Sequence, residues 1–392
     1  MKNNPDDICA RPQITEQGGT RPHSAPLYLA SVYECRDPEQ ALSLLRGDEV
    51  GYVYQRDRHP NSDELAEKCR QLHQAEWALV TSSGMAALAL AALGSLQAGD
   101  HVVVSHQVYG RSLQLFDREM SRLGVRASVV DTQSLDEVRA AVGSETRLLL
   151  VETISNPMLQ IADISSLAEI AHTAKARLLV DNTFASPVVC RPLDCGADLV
   201  MESISKMING HSDVMLGLLC GRDDSEPHLR DQLSVWGLAS SPFDCWLASR
   251  GLATLHLRME RACDSARKIA DLLASQPAVT AVHYPTLSNA AQQQLAQQQF
   301  LADRAGSMLT FTLAEGLAGV ERFMAAAREI PFCPSLGEVA TTISHPSSTS
   351  HRGLSAEQQR QLGIEEGTLR LSVGTESLEF VQDVIMTGLA AV

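Results

Sequence analysis

The sequence predicts an α/β fold in which a large, mostly parallel sheet is followed by a smaller α/β domain, and three observations lead to this prediction. Short apolar runs alternate with amphipathic helical patterns from residue 59 to about residue 250. These runs are almost continuously apolar, as expected for strands covered on both faces. After a long helical pattern over 245–275, strands and helices alternate again to the end of the chain. A chain of 392 residues exceeds one ordinary core, so we predict two domains, 59–250 and 251–392.

The individual elements follow from the same patterns. In the first domain the predicted strands are 76–82, 101–105, 127–131, 147–153, 177–182, 198–203 and 215–221. Predicted helices between them are 61–73, 84–96, 111–123, 135–142 and 165–176. In the second domain the predicted strands are 281–285, 307–314, 338–344 and 368–374, and the predicted helices are 318–330 and 377–389.

Residues 1–58 differ from the rest of the chain. They are rich in Pro, Gly and charge, show little periodicity, and include the aromatic pieces PLYLASVY and GYVYQR. This composition predicts an extended N-terminal arm. Its aromatic side chains need a surface to pack on.

Composition excludes several classes of protein. The net charge of -15, from 47 acidic and 32 basic residues, argues against nucleic-acid and anionic-membrane partners. No stretch approaches the roughly 20 apolar residues of a membrane span, and the first residues do not resemble a leader peptide, so we expect a cytoplasmic protein. The nine cysteines are scattered and never form a CxxC pair, which argues against a disulfide framework or a metal site and favours reduced, mostly buried thiols.

Ligands of open α/β sheets bind at the carboxyl ends of the strands, so the residues that follow each strand are the candidates for a site. After the strand 76–82, Ser83, Gly84 and Met85 begin a helix. Its free N–H groups would hold a phosphate, and the Ser83 hydroxyl could add a donor. The alternative is that Ser83 only caps the helix.

Asp181 ends another predicted strand. A carboxylate inside a cleft at this position could hold a protonated ring nitrogen as an ion pair. The alternative is an aspartate that stabilises a turn.

Lys206 is the strongest single candidate. The chain has five lysines, and we expect the other four to lie in the N-terminal tail or on polar helix faces, whereas Lys206 follows a buried strand. A desolvated lysine has a lowered pKa and can attack an aldehyde to form an imine. An ion-paired structural lysine remains the alternative.

Together, a phosphate cradle, a carboxylate for a ring nitrogen and an imine-forming lysine predict a pyridoxal 5′-phosphate (PLP) site. The motifs of competing chemistries are missing from the sequence: it has no GxGxxG after a strand, no GxxxxGK[ST], no GxSxG and no HExxH.

The chain resembles the Cys/Met-metabolism PLP enzymes over nearly its whole length. This family includes cystathionine γ-synthase, cystathionine γ-lyase, cystathionine β-lyase, methionine γ-lyase and O-acylhomoserine sulfhydrylase. The resemblance implies a fold-type I PLP-dependent transferase. The segments that carry it are YVYQR near 54, TSSGMAA at 81, VYGRS at 108, ETISNP at 152, VDNTF at 180, SISKMINGHSD at 203, SLG at 335, HPSSTSH at 345 and TLRLSVG at 368.

The resemblance implies a role for each matching residue. Lys206 would form the imine with the cofactor and later move the α-proton of the substrate, and Tyr109 would stack on the ring as a second acid/base. Asp181 would hold the ring nitrogen, with Asn156 beside the phenolic oxygen. The remaining contacts are to the phosphate, from Gly84, Met85, Ser203 and Ser205.

Two further contacts are expected from a neighbouring subunit. The resemblance implies that Tyr54 and Arg56 reach over to the phosphate of another chain, so the smallest active unit would be a dimer and the assembly a homotetramer. The substrate, a small sulfur amino acid, would place its carboxylate on Arg370, with Ser335 nearby.

Three positions depart from relatives that act on cystathionine. Such relatives often carry a glutamate where this chain has Ala340 and an arginine where it has Gln114. Arg111 replaces a small or thiol side chain, and it either approaches a distal acid of the substrate or lies on the surface with its stem packed.

We expect a transsulfuration enzyme that breaks or makes the Cγ–S bond of cystathionine. The alternatives are an O-acylhomoserine sulfhydrylase, which the loop HPSSTSHRGLS resembles, a methionine γ-lyase, a cystathionine β-lyase, and a catalytically silent scaffold of the same fold.

Overall fold

The computed structural model describes residues 4–11 and 22–392. They contain two sheets and the helices packed on them. The strands are β1 Trp77–Thr81, β2 His101–Ser105, β3 Arg126–Val130, β4 Thr146–Glu152, β5 Arg177–Asp181, β6 Leu199–Glu202, β7 Gly217–Gly221, β8 Val279–His283, β9 Met308–Leu313, β10 Thr342–Ser344 and β11 Thr368–Ser372. The helices are α1 Pro5–Ala10, α2 Pro38–Arg46, α3 Pro60–His73, α4 Gly84–Ser95, α5 Gly110–Gln114, α6 Leu135–Ala141, α7 Ile164–Thr173, α8 Ser186–Val189, α9 Glu226–Val235, α10 Pro242–Leu252, α11 Leu255–Ala274, α12 Ala290–Gln299, α13 Gly316–Ala326, α14 Ala356–Gln361 and α15 Leu378–Leu389.

The large sheet has the strand order β1-β7-β6-β5-β4-β2-β3. Its strands are parallel except β7, which runs antiparallel to both β1 and β6. Most of its strands are buried, while the edge strand β3 is partly exposed. The predicted α/β class, with a mostly parallel large sheet, is therefore confirmed.

The small sheet has the order β10-β11-β9-β8 and is antiparallel throughout. Its strand β10 begins at Thr342, although the sequence predicted a strand from residue 338. The segment before Thr342 instead packs against the loop that follows β6, which contains Met207 and Gly210. Gly337 has φ +82°, a Cβ there would lie 2.7 Å from the backbone N of Met207, and Val339 N–H donates to Gly210 C=O over 2.9 Å.

The prediction of a single long helix over 245–275 is wrong, because the structure has two helices there, α10 and α11. The break between them lets both helices pack against the loop that follows β6. A Cβ on Gly251 would lie 2.2 Å from Asn209 O, and Arg258 donates from Nη1 to Met207 O and from Nη2 to Ile208 O over 2.8 and 2.9 Å. These contacts join residues far apart in sequence, so helical periodicity could not reveal them.

The predicted arm is not extended throughout. Helices α1 and α2 form within it because each begins with proline after a capping side chain, Asn4 and Asp37. Much of the arm is exposed: Leu29, Val32 and Val50 are 66%, 63% and 98% accessible. Residues 1–3 and 12–21 of the arm lie outside the described residues, and the domain boundaries at 58 and 250 stay predictions.

All nine cysteines are free, and six are buried, as the sequence predicted. Within residues 4–11 and 22–392, no group of three or more His, Cys, Asp or Glu side chains is arranged to hold a metal ion. In the same residues, no helix is both long and apolar enough to cross a bilayer.

Candidate active site

Lys206 lies in the loop after β6, half-buried between the two sheets. Its Nζ donates to Ser335 Oγ over 3.0 Å, a contact that joins the large-sheet domain to the segment before β10. Burial lowers the pKa of Lys206, the nearby Arg370 lowers it further, and the carboxylate of Glu338 opposes both. The structure thus provides an amine that loses its proton more readily than an ordinary lysine.

Arg370 lies in the middle of the small sheet on β11 and is only 4% exposed. Its Nη1 donates to Asn156 Oδ1 over 2.8 Å and its Nη2 to Ser335 O over 3.0 Å, while Nε has no hydrogen-bond partner. Burial lowers the pKa of its guanidinium to about 10. A buried cation with an unused N–H suits a carboxylate ligand.

Asp181 and Glu152 are neighbours at the ends of β5 and β4, where they are paired in register. Burial raises the pKa of Asp181 to about 6, although hydrogen bonds from Thr183 oppose the rise. Burial and the adjacent Asp181 raise the pKa of Glu152 well above its ordinary value. Two buried carboxyl groups at the carboxyl ends of neighbouring strands favour a ligand that carries a positive charge.

The predicted phosphate cradle lies at the start of α4. Ser83 Oγ accepts the Ala86 N–H over 3.0 Å, so this serine caps the helix. The helix begins against the loop of Ser203: a Cβ on Gly84 would lie 2.9 Å from Ser203 Cβ. The Ser203 N–H in turn donates to Thr183 Oγ1 over 2.9 Å. The first N–H groups of a helix lack intrahelical partners, and here they lie beside the loop that carries Lys206.

Tyr109 joins this cluster through its backbone. Its N–H donates to Glu152 Oε1 over 2.6 Å at the start of α5, and its side chain is 42% exposed. Ser205 is placed differently from the prediction, because its hydroxyl donates to Leu216 O and accepts the Leu216 N–H. Met85 packs partly on the apolar core beside α4.

Tyr54 and Arg56 lie apart from the other candidates. Both are exposed, the Arg56 guanidinium lies 5.1 Å from the Tyr54 ring centroid, and Arg56 Nε donates to Ser234 Oγ over 3.4 Å. Contacts link Ser335, Arg370 and Asn156 to Lys206, whereas Tyr54 and Arg56 make none with this group.

Sequence reasoning missed several residues of the cluster. Glu152 and Thr183 also follow strand ends, so the rule that found Asp181 could have found them. Phe184, whose ring lies 5.9 Å below the Arg370 guanidinium, and Glu338, whose charge acts on both Lys206 and Arg370, carry no comparable signal in the sequence.

One supporting assumption was wrong. Lys68 was expected on a polar helix face, but it is 3% exposed on α3 and acts on the buried Glu64. Lys175 and Lys268 are exposed, as expected. Lys206 therefore is not distinguished by burial alone but by its place after a strand beside Asp181 and Arg370.

Comparison with known proteins agrees with this geometry. A family model described as Cys/Met metabolism PLP-dependent enzyme matches residues 8–390. The chain belongs to this family. Its cofactor is PLP, as predicted.

Named relatives carry different activities. The chain is 37% identical to an L-methionine γ-lyase of Porphyromonas gingivalis, covering 91% of this chain and 90% of the relative. It is 36% identical to an O-succinylhomoserine sulfhydrylase of Pseudomonas aeruginosa, covering 94% and 91%.

Solved structures show the same fold. Cystathionine γ-synthase from Xanthomonas oryzae pv. oryzae in complex with cystathionine matches with a TM-score of 0.92 at 34% identity, covering 99% of this chain and 98% of that one. A putative O-acetylhomoserine (thiol)-lyase from Campylobacter jejuni, which carries an N′-pyridoxyl-lysine-5′-monophosphate, matches with a TM-score of 0.93 at 27% identity, covering 99% of each chain.

The residues present fit the cofactor. The Gly84 backbone leaves room beside Ser203 that a side chain would fill, Lys206 Nζ is held at Ser335, and Glu152 Oε2 and Arg370 Nε are buried polar atoms without a protein partner. Unpaired buried polar groups are costly, so a ligand that approaches them is favoured.

Proposed function

We propose that this protein cleaves the Cγ–S bond of a sulfur amino acid, with L-cystathionine as the leading substrate. The observation that carries the proposal is the contact chain Lys206–Ser335–Arg370–Asn156, in which every link is a hydrogen bond of 2.8 to 3.0 Å. It fixes a low-pKa amine and a carboxylate-binding cation at one site. Cleavage would convert cystathionine and water to cysteine, 2-oxobutyrate and ammonium.

The cofactor, when bound, supplies an electron sink for the bond that breaks at Cα. Arg370 would take the α-carboxylate by paired hydrogen bonds and so orient the Cα–H bond toward Lys206. Lys206 Nζ would remove that proton and deliver it onward, which its lowered pKa favours. Asp181 would hold the ring nitrogen, and Tyr109 would lie over the ring and give or take a second proton.

The phosphate would lie on the Gly84 and Met85 N–H groups with the hydroxyls of Ser83, Ser203 and Ser205 around it. Ser83 accepts a backbone N–H and keeps its hydroxyl proton to donate. Ser205 both donates to Leu216 O and accepts the Leu216 N–H, so it would have to give up the first of these bonds to donate to the phosphate. Asn156, bonded to Arg370, would stand beside the phenolic oxygen of the ring.

We infer an assembly in which Tyr54 and Arg56 complete the phosphate site of a neighbouring chain. Their separation from the Lys206 cluster within one chain supports this inference, as do the exposed apolar residues Leu29, Val32 and Val50 of the arm. The smallest active unit is then a dimer, and we propose a homotetramer of two such dimers. A cytoplasmic location likewise remains a prediction.

L-Methionine is the second candidate substrate. Ala340 and Gln114 offer no charge to the distal ammonium and carboxylate of cystathionine, and Gln114 accepts a hydrogen bond from Arg111 over 2.7 Å. Methionine needs no distal polar contact. The identity to the Porphyromonas gingivalis methionine γ-lyase supports the same candidate.

The test is to incubate the PLP-loaded protein with L-cystathionine or L-methionine alone and to identify the products. Cysteine with 2-oxobutyrate supports the leading proposal, and methanethiol with 2-oxobutyrate supports the second. A Lys206→Ala variant controls for reaction of free PLP. If PLP is bound but neither amino acid is cleaved, the proposal is wrong, and replacement on an O-acylhomoserine becomes the reaction to test.

A further inference from the structure

Glu338 is an acidic residue of the site to which the family resemblance gave no role. It follows Gly337 in the segment that connects Ser335 to β10. Its carboxylate acts on Lys206 and on Arg370, raising the pKa of each. Ser335, three residues earlier, contacts both Lys206 Nζ and Arg370 Nη2, so Glu338 lies in the segment that joins these two cations.

The backbone on both sides of Glu338 is fixed. Gly337 N–H donates to Ser372 Oγ over 2.8 Å, and its positive φ of +82° places it where any side chain would meet Met207. On the other side, Val339 N–H donates to Gly210 O over 2.9 Å and Val339 O accepts the Thr375 N–H over 2.8 Å. The backbone of Glu338 is therefore held beside the loop that carries Lys206.

The carboxylate itself is weakly engaged. It accepts one long hydrogen bond of 3.5 Å, from Thr342 Oγ1 to Oε2, and no ion pair among the described residues involves it. Other buried or half-buried carboxylates of this chain are held more tightly: Glu376 accepts the Thr341 N–H over 2.6 Å and the Thr341 hydroxyl over 2.8 Å. The backbone around Glu338 is therefore fixed, whereas its carboxylate makes only one weak contact.

Occupation of the site changes the charge balance around this residue. With the cofactor bound, Lys206 Nζ would be engaged by it, and the α-carboxylate of an incoming amino acid would engage Arg370. With both cations engaged, the charge of Glu338 is no longer compensated within the site. A second carboxylate on the substrate would then meet a like charge, which repels it.

We propose that Glu338 is a specificity-determining residue that makes this site select substrates with a neutral or zwitterionic side chain and reject those with an anionic one. The selected class includes a thioether such as that of methionine and the zwitterionic arm of cystathionine. The rejected class includes a succinyl ester of homoserine, although a sulfhydrylase named for that substrate is among the relatives. The inference rests on the proposed function only for the position of the α-carboxylate on Arg370.

The binding of two unreactive amino acids tests the proposal without requiring catalysis. L-Norleucine and L-2-aminoadipate have the same chain length and differ in ending as a methyl group or a carboxylate. Titration of each into the PLP-loaded protein, followed by cofactor absorbance, gives two dissociation constants. We expect norleucine to bind at least about 10-fold more tightly, and Glu338→Gln to reduce that ratio by about 5-fold or more through tighter binding of aminoadipate.

Glu357→Gln is the matched control, because it removes one negative charge from an exposed glutamate that pairs with Arg360 on α14. It should leave the ratio unchanged. An unchanged ratio in Glu338→Gln, or an equal change in both dissociation constants, would overturn the proposal, because Glu338 would then act on Lys206 or Arg370 rather than on the substrate's charge.

Turnover gives a second, separate readout. Elimination from O-acetyl- and O-succinyl-L-homoserine releases 2-oxobutyrate, ammonium and acetate or succinate, so the ratio of kcat/KM isolates the effect of side-chain charge. We expect Glu338→Gln to lower the acetyl-to-succinyl ratio by about 5-fold. If neither ester nor any sulfur amino acid reacts, the proposed function fails, while the binding ratio still decides the role of Glu338.

Discussion

The paired carboxyl groups of Asp181 and Glu152 show how single residues set the chemistry of this site. Both lie at strand ends, and burial raises the pKa of each. A protonated ring nitrogen would supply the positive charge that this edge lacks. Lys206 and Arg370 show the opposite effect, because burial lowers the pKa of both cations.

The lowered pKa of Lys206 predicts the pH dependence of cofactor uptake. Only the neutral amine attacks the aldehyde, so the rate of imine formation by the apo-protein should rise with pH. It should reach half its maximum below the ordinary lysine value of about 10.4. Stopped-flow absorbance would measure this rate, with Lys206→Ala as the blank.

Glu338 raises the pKa of Lys206, so Glu338→Gln should move the same profile to lower pH, and Glu357→Gln should not move it. A half-maximum at or above pH 10.4 in the unmodified protein would contradict a desolvated Lys206.

Sequence reasoning singled out Lys206, Asp181 and Ser83–Met85 as candidates because each lies at or after the end of a predicted strand, which is a local signal. It did not find Glu338, because the neighbours that define its environment, Lys206 and Arg370, are distant in sequence. The same limit explains the error over Lys68: whether a helical residue is buried depends on what covers the helix.

At the scale of elements, the start of α4 joins local structure to cofactor binding. Ser83 caps the helix, and Gly84 allows the helix to begin against Ser203. The N-terminal N–H groups and the positive end of the helix dipole then point toward the expected phosphate.

A Gly84→Ala substitution should weaken PLP binding by about 10-fold or more. Its Cβ would lie 2.9 Å from Ser203 Cβ and 3.2 Å from Ser203 Cα, so helix and loop must separate. The dissociation constant of PLP would be measured by absorbance titration, alongside thermal unfolding of the apo-protein.

The matched control is Gly143→Ala, because a Cβ at Gly143 would have nothing within 4 Å. Unchanged PLP affinity in Gly84→Ala, with the same unfolding temperature, would show that the phosphate does not lie at this helix.

The strands were predictable because buried strands are apolar runs of characteristic length. The division between α10 and α11 and the late start of β10 were not, because both depend on packing against the loop after Lys206. In each case a glycine, Gly251 or Gly337, lies against the backbone of that loop, and sequence periodicity carries no information about such an approach.

For the whole molecule, the question is whether one chain contains a complete site. The cluster around Lys206 lacks Tyr54 and Arg56, and the arm that carries these residues exposes apolar side chains. Both facts are expected if neighbouring chains exchange arms.

Complementation would test this arrangement. Arg56→Ala impairs the arm but keeps Lys206, and Lys206→Ala removes the lysine but keeps the arm, so each variant alone should have little or no activity. Mixed dimers would contain one intact site. Unfolding and refolding the two variants together at equal amounts should restore about a quarter of normal activity.

Refolding each variant separately and then assaying them together, without exchange of chains, is the control. If co-refolded variants show no more activity than this control while forming mixed dimers, Arg56 serves the site of its own chain.

Arg111, Gln114 and Ala340 are the positions that depart from relatives that act on cystathionine, and two of the three, Arg111 and Ala340, are exposed. Lys206 and Arg370 instead make hydrogen bonds that join the loop after β6 to the small sheet. Substitutions at the three exposed or half-exposed positions should therefore cost less folding stability than substitutions at Arg370. This separation would let a lineage change the leaving group by surface substitutions while the residues that carry the chemistry stay fixed by their packing.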